Sequence, residues 1–340
     1  MSSLNSQTEK NKLLMIASSP LKKQIILMKH NTTVRTKLFL ILIIAGFTTS
    51  CSTMKGQQAR KQPAEFPTFD TESHRGGRGV MPENTIPAML YSLSLGGITT
   101  LEMDVKVTAD KKLVLGHDNC LNPWFTRKPN GDDFTKEEKD RYPVMQMTYA
   151  ELKQFDVGSK VHPLFPKQRK MEAPIPLLEE VIDSVQHFIE KESREQVFYN
   201  IETKSSEAGD HKYNPVPEEF VKLLMEVIEK KGITPYVIVQ SADVRTLRVL
   251  KDKYPHVRTS YLVGARRKDF TVEEDLELLG FQPDIYSPNF KYISQEDVEK
   301  CQKMGMKVVV WTPNTKKEIE ELKAMGVDGI ITDYPELLLD

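Results

Sequence analysis

The chain has 340 residues, 39% of them hydrophobic and 28% charged, a mixture that excludes a disordered chain and a multi-span membrane protein. Its 47 Lys and Arg are balanced by 48 Asp and Glu, so it carries no basic excess for nucleic acid. Three cysteines cannot build a disulfide framework, and the fold must rest on buried apolar side chains.

Residues 1–50 read as an upstream segment and an export signal. Leu38 to Phe47 (LFLILIIAGF) are apolar or small and follow Arg35 and Lys37. The run is half the length of about 20 residues that spans a bilayer, and its basic front and small polar end form a secretory signal. Met28 lies at the usual distance ahead of it and is a second candidate start. The run closes on TTSC, and Cys51 there resembles the lipidated cysteine of bacterial lipoproteins. That resemblance implies an N-terminal lipid anchor at Cys51 and an exported protein held on the periplasmic or outer-membrane face of the cell envelope. An ordinary signal peptide with an incidental cysteine is the alternative. Residues 51–67, polar with Pro63 and Pro67, read as a tether. Residues 68–340 then suffice for one (β/α)8 barrel, typically about 250 residues.

Strands are expected to end at His74 and to cover Ile98–Val105, Val197–Thr203, Tyr236–Ser241, Arg258–Val263, Asp284–Asn289, Lys307–Trp311 and Gly329–Asp333. Amphipathic stretches such as Glu218–Gly232, Ser241–Tyr254 and Ser294–Gly305 lie between them, with helix stops at Gly232, Gly305 and Gly326. Strand and helix alternating in this way predict an α/β fold, a (β/α)8 TIM barrel, with a doubly wound open sheet as the runner-up. Polar residues gather at the C-terminal ends of the strands, which favours the barrel.

One segment breaks the alternation. Leu113–Asp118 follows the second strand too soon for a parallel crossover and must return as an antiparallel hairpin. A turn centred on Ala109 and Asp110 sets His117 opposite Glu102. A turn centred on Asp110 and Lys111 sets it opposite Asp104. Residues 119–176, rich in proline, read as an insertion after this hairpin that covers the barrel mouth, with one helix near Thr148–Phe155.

The barrel brings His74, Arg75, Glu83 and Asn84 to one rim with Glu102, Asp104, His117, Asp118, Glu202 and Lys204. Gln240, Asn289, Trp311 and Asp333 arrive on later strands. Glu102 and Asp104 share one face of their strand, and Glu202 repeats the situation on the next. Three hard oxygen ligands without sulfur point to one divalent cation, Mg2+ or Ca2+. Two histidines beside that site suggest a general acid and a general base. Arg75 and Lys204 suit a phosphate, with Gln240 and Trp311 as further candidate substrate contacts. His162, His187, His211 and His256 read as surface residues. Cys120 and Cys301 are either thiols or a bridge.

His74–Met89 (HRGGRGVMPENTIPAM), Leu101–Asp118 (LEMDVKVTADKKLVLGHD), Ile201–Lys204 (IETK), Val239–Ser241 (VQS), Trp311–Asn314 (WTPN) and Ile330–Pro335 (ITDYP) resemble the glycerophosphodiester phosphodiesterases, in order, over Thr68 to Asp340. The resemblance implies metal-dependent hydrolysis of a small glycerophosphodiester to glycerol 3-phosphate and an alcohol. It makes His74 and His117 the catalytic pair, Glu102, Asp104 and Glu202 the metal ligands, and Arg75 and Lys204 the phosphate contacts. Ala242 stands where the family often has Phe after Gln-Ser. A phospholipase relative acting on intact lipid headgroups, or a non-catalytic phosphate-binding lipoprotein, are the alternatives. No nucleic acid or obligate protein partner is expected.

Overall fold

Parallel strands that are buried on both faces dominate the molecule, as a closed barrel wrapped by helices requires. The computed structural model describes residues 62–264 and 270–339. The export signal, Cys51 and most of the tether lie outside the described residues. Among the described residues, no helix is long and apolar enough to cross a membrane.

The strands are β1 (Asp70–Ser73), β2 (Thr100–Val107), β3 (Leu113–Leu115), β4 (Phe198–Thr203), β5 (Val237–Ser241), β6 (Arg258–Val263), β7 (Ile285–Pro288), β8 (Lys307–Trp311) and β9 (Gly329–Thr332). They form one sheet in the order β1-β9-β8-β7-β6-β5-β4-β2-β3, and parallel pairing of β1 with β2 closes it. All ladders are parallel except β2 with β3. The helices are α1 (Ile86–Ser94), α2 (Tyr149–Leu152), α3 (Leu178–Lys191), α4 (Pro217–Lys231), α5 (Val244–Lys253), α6 (Val272–Leu279), α7 (Gln295–Lys303) and α8 (Lys316–Met325). The (β/α)8 barrel expected from the alternation is the observed fold, and α4 and α8 end at the predicted Gly232 and Gly326.

Side-chain alternation along each strand separates two cores. Leu101, Met103, Val105 and Val107 of β2 pack outward with Met89 and Leu93 of α1 and Leu178 and Val181 of α3. Inside the barrel, Phe198, Ile238, Ile285, Val309 and Ile331 form an apolar plug. Phe66 and Tyr236 pack against it, and Arg258 holds the incoming chain by donating to the Ala64 carbonyl at 2.8 Å. The bottom is thus filled by side chains, and the chemistry is displaced to the opposite rim.

The hairpin differs from both registers expected of it. Val105 pairs with Leu115 and Val107 with Leu113, midway between the two predictions. The turn has three residues, Ala109 to Lys111, closed by Thr108 N–H donating to the Lys112 carbonyl at 2.9 Å. Lys111 adopts φ +59°, the left-handed residue that ends a three-residue hairpin loop. A two-residue turn cannot give this register, so the assumption of two central residues was the error. The ladder runs to Gly116, whose N–H donates to the Asp104 carbonyl at 3.0 Å, and His117 leaves the sheet directly afterwards.

Residues 119–176 carry their own apolar cluster, in which Leu121, Val144, Leu152, Phe155, Val157 and Ile175 surround Val114 of β3. Its end docks on the rim: Gln168 Nε2 donates to the carbonyls of Arg78 and Met81 at 2.7 and 2.8 Å.

Candidate active site

β1 delivers His74 and the backbone then turns sharply. Arg75, Gly76 and Gly77 have φ of +50°, +77° and +84°. A Cβ on Gly76 would meet the Ala88 Cβ at 2.8 Å, so only glycine lets this turn lie against α1. Arg75 adopts the same left-handed conformation with a side chain, at a cost of about 1–2 kcal/mol. Its anchors offset that cost. The Arg75 N–H donates to Glu102 Oε2 at 2.8 Å, Nη1 donates to Glu83 Oε1 at 2.7 Å, and Nε lies 3.0 Å from Asp104 Oδ2.

Glu102 and Asp104 project from β2 and Glu202 from β4, all buried. One oxygen from each lies within 4.8 Å of the others. Burial, Asp104 and Glu202 together push the Glu102 carboxyl well above the ordinary range. Burial also raises Glu202, against the pull of Lys204. Burial would raise Asp104 as well, but Arg75 and Lys204 hold it well below its ordinary value. Asp104 Oδ1 is buried without a hydrogen-bond partner. The Lys204 ammonium donates to Glu202 Oε1 at 2.6 Å and lies 3.8 Å from that Asp104 oxygen. Three carboxylates, no sulfur and an unpartnered buried oxygen fit a hard divalent cation.

Each flanking imidazole is fixed through Nδ1. Asp333 is held far below the ordinary carboxylate range: burial would raise it, but the charges and hydrogen bonds of His74 and Arg78 outweigh burial. It is therefore an acceptor, and His74 Nδ1 donates to its Oδ1 at 2.6 Å. His74 Nε2 then faces the triad, 4.0 Å from Glu102 Oε2. Burial lowers the His74 imidazole to about 4 against the opposing pull of Asp333. His117 Nδ1 donates to Asp118 Oδ1 at 2.8 Å. Burial would raise Asp118, but His117 and the Asn122 amide keep it at about 2. His74, His117, Glu102, Glu202, Arg75, Lys204, Gln240 and Trp311 line one cavity of about 250 Å3. Gln240 Nε2 is engaged by Glu102 Oε1 at 2.7 Å, and Trp311 Nε1 by the Ser287 carbonyl at 3.0 Å.

Asp333 and Arg78 carry no role in the sequence reading. Asp333 binds His74, Arg78 Nε at 2.6 Å and Asn314 Nδ2 at 2.7 Å. Arg78 lines the same cavity and sits over the Phe165 ring at 5.1 Å. The second Arg-Gly pair of HRGGRG and the acid ending the last strand were the available signals. His162 corrects the expectation of a surface residue. It is 4% exposed, stacked on Phe125 with ring centroids 5.2 Å apart, and its Nε2 lies 4.0 Å from Glu83 Oε2. The flanking Val161, Leu164 and Phe165 were the local signal of burial, and the insertion's fold adds Phe125. His187 and His211 are exposed and His256 is half-buried. Cys120 is a free, half-buried thiol, and Cys301 is buried in the outer core.

Because Asp333 is ionised in the folded state at a pH where a free aspartate is protonated, it stabilises the fold fully above about pH 4. That contribution is lost as pH falls further, toward its depressed folded value. Asp333→Asn is expected to cost on the order of 1–3 kcal/mol at pH 7. Urea unfolding at pH 7 and pH 3 should show the gap to the unmodified protein narrowing in acid.

A closed α/β barrel whose C-terminal rim gathers a buried acidic triad, two carboxylate-held imidazoles and three basic side chains is an enzyme scaffold for an anionic substrate. Residues 74–337 match the glycerophosphoryl diester phosphodiesterase family, and the chain belongs to that family. It is 31% identical over 268 residues to a glycerophosphodiester phosphodiesterase of Caldanaerobacter subterraneus, covering 79% of this chain and 95% of that relative. A structure solved as a candidate glycerophosphoryl diester phosphodiesterase from Silicibacter pomeroyi superposes with a TM-score of 0.70 at 28% identity, covering 83% of this chain and 95% of the other. An Oleispira antarctica phosphodiesterase, solved with the product sn-glycerol-3-phosphate, shares the fold with a TM-score of 0.61 at 24% identity, covering 79% of this chain and 94% of that one.

Proposed function

We propose that the protein hydrolyses small glycerophosphodiesters to glycerol 3-phosphate and an alcohol, with His74 and His117 exchanging protons and one divalent cation, Mg2+ or Ca2+, held by Glu102, Asp104 and Glu202. The observation that carries this reading is the two Nδ1-anchored imidazoles lining one cavity with Glu102 and Glu202 of the acidic triad. A bound cation would supply charge neutralisation to a phosphoryl oxygen. Asp333 and Asp118 fix the tautomer, leaving Nε2 of each imidazole to take or give a proton. Lys204 and Arg75 offset the charge that develops on the phosphoryl group, Lys204 as a compact ammonium and Arg75 as a rigid fork.

A cavity of about 250 Å3 is at the small end of ligand sites, which favours a water-soluble diester over an intact lipid. The test is release of glycerol 3-phosphate from glycerophosphocholine, with and without chelator, beside lysophosphatidylcholine as competitor substrate. No product from glycerophosphocholine, or undiminished product under chelation, overturns the assignment. The export signal and Cys51 support a lipid-anchored protein of the cell envelope, with residues 51–67 as tether. Radiolabelled palmitate should enter the unmodified chain and not Cys51→Ala, which should also leave the membrane fraction.

A further inference from the structure

Below the acidic triad lies a second set of buried polar groups that the proton exchange does not use. β1 turns Asp70 and Glu72 into the barrel, both 0% exposed. Asp70 Oδ1 accepts the hydroxyls of Thr99 and Thr100 at 2.6 Å each. Asp70 Oδ2 and Glu72 Oε1 are buried without a hydrogen-bond partner. Burial and the neighbouring Asp70 raise the Glu72 carboxyl well above the ordinary range.

From Glu72 the bonds run upward in a fixed sense. Asn200 Nδ2 donates to Glu72 Oε2 at 2.7 Å and lies 3.3 Å from Gln240 Oε1. Gln240 Nε2 donates to Glu102 Oε1 at 2.7 Å. An amide side chain has two polar ends, and only one of them can serve a carboxylate. Gln240 presents its N–H to Glu102 because its carbonyl end is taken by Asn200. Asn200 presents its N–H in turn because Glu72 offers an acceptor. The other Glu102 oxygen accepts the Arg75 backbone N–H at 2.8 Å, so the carboxylate is pinned at both oxygens.

We propose that Glu72, acting through Asn200 and Gln240, is a positioning residue that sets the orientation of the Glu102 carboxylate within the cation site. This rests on the reading of Glu102, Asp104 and Glu202 as that site. In it Gln240 serves the ligand from below while lining the cavity from the side. Partners of metal ligands typically change affinity by 10- to 100-fold when lost.

The experiment is calorimetric titration of the full chain with CaCl2 and with MgCl2, alongside a thermal melt for each variant. Glu72→Met, which breaks the first link with little change of volume, is expected to weaken ion binding by about 10- to 100-fold. Glu72→Gln, whose carbonyl can still accept from Asn200, is expected to bind within about threefold of the unmodified chain, a rescue that a purely packing role would not give. Gln240→Met cuts the last link at the cavity wall and should weaken binding equally, so it decides the matter if Glu72→Met does not fold. Unchanged affinity in a folded Glu72→Met or Gln240→Met overturns the proposal. Glu202→Gln separates the two readings. If it binds the ion as the unmodified chain does, the acidic triad is not the cation site and both fall. If it loses the ion while the Glu72 and Gln240 variants keep it, this inference alone fails.

Discussion

Replacing His117 by alanine is expected to lower kcat for glycerophosphocholine by about 10²- to 10⁴-fold, with little change in KM. The ring lies at the cavity wall, its Nδ1 is committed to Asp118 at 2.8 Å, and its remaining nitrogen is the group available to a reacting oxygen. His74→Ala should act as strongly, since Nδ1 is committed to Asp333 at 2.6 Å and Nε2 faces the triad. The double variant should be little worse than the weaker single one, because a proton relay missing one member has lost most of its function. Steady-state rates of the three variants decide it. A His117→Ala turnover within about threefold of the unmodified chain would mean that another group moves the proton. Asp118→Asn is the finer probe: it keeps the shape but no longer favours a donor at Nδ1, so it should fall between the two.

The second large effect concerns stability. Oxygens of three buried carboxylates lie within 4.8 Å of one another, and the Lys204 ammonium is the group placed between Asp104 and Glu202. Burial and mutual repulsion already drive Glu102 and Glu202 toward their neutral forms. An ion that binds only the folded state stabilises it by about 2.7 kcal/mol at a hundredfold excess over its Kd. For a domain of this size that corresponds to a rise in Tm of about 5–10 °C. Glu202→Gln should remove the response while keeping a folded barrel. Calorimetric melts with CaCl2, with MgCl2 and with chelator measure it, and identical melts in all three would exclude a cation held by the triad.

The hairpin shows where pattern runs out. Spacing requires Leu113–Leu115 to return antiparallel beside β2, and that is its arrangement. Register depends on the conformation of one residue, Lys111, whose left-handed φ inserts a third residue into the turn. Nothing in a lysine announces that conformation. His162 shows the same limit at long range. Val161, Leu164 and Phe165 flank it in sequence, but its burial is completed by Phe125, 37 positions earlier, which only the folded insertion brings against it.

The order of elements, the (β/α)8 class and the residues that meet at the rim were determined by sequence alone, because alternation of strand and helix and the period of two along a strand are local properties. His74, Glu102, Asp104, His117, Glu202 and Lys204 needed no coordinates to be set together. The tertiary structure decided how each is held. It tied His74 to Asp333 at the end of the neighbouring last strand, engaged Arg75 with Glu83 and Asp104, and placed Glu72 under Glu102 through two amides. Such partnerships join residues far apart in the chain, and distance, burial and donor direction exist only once the barrel has closed.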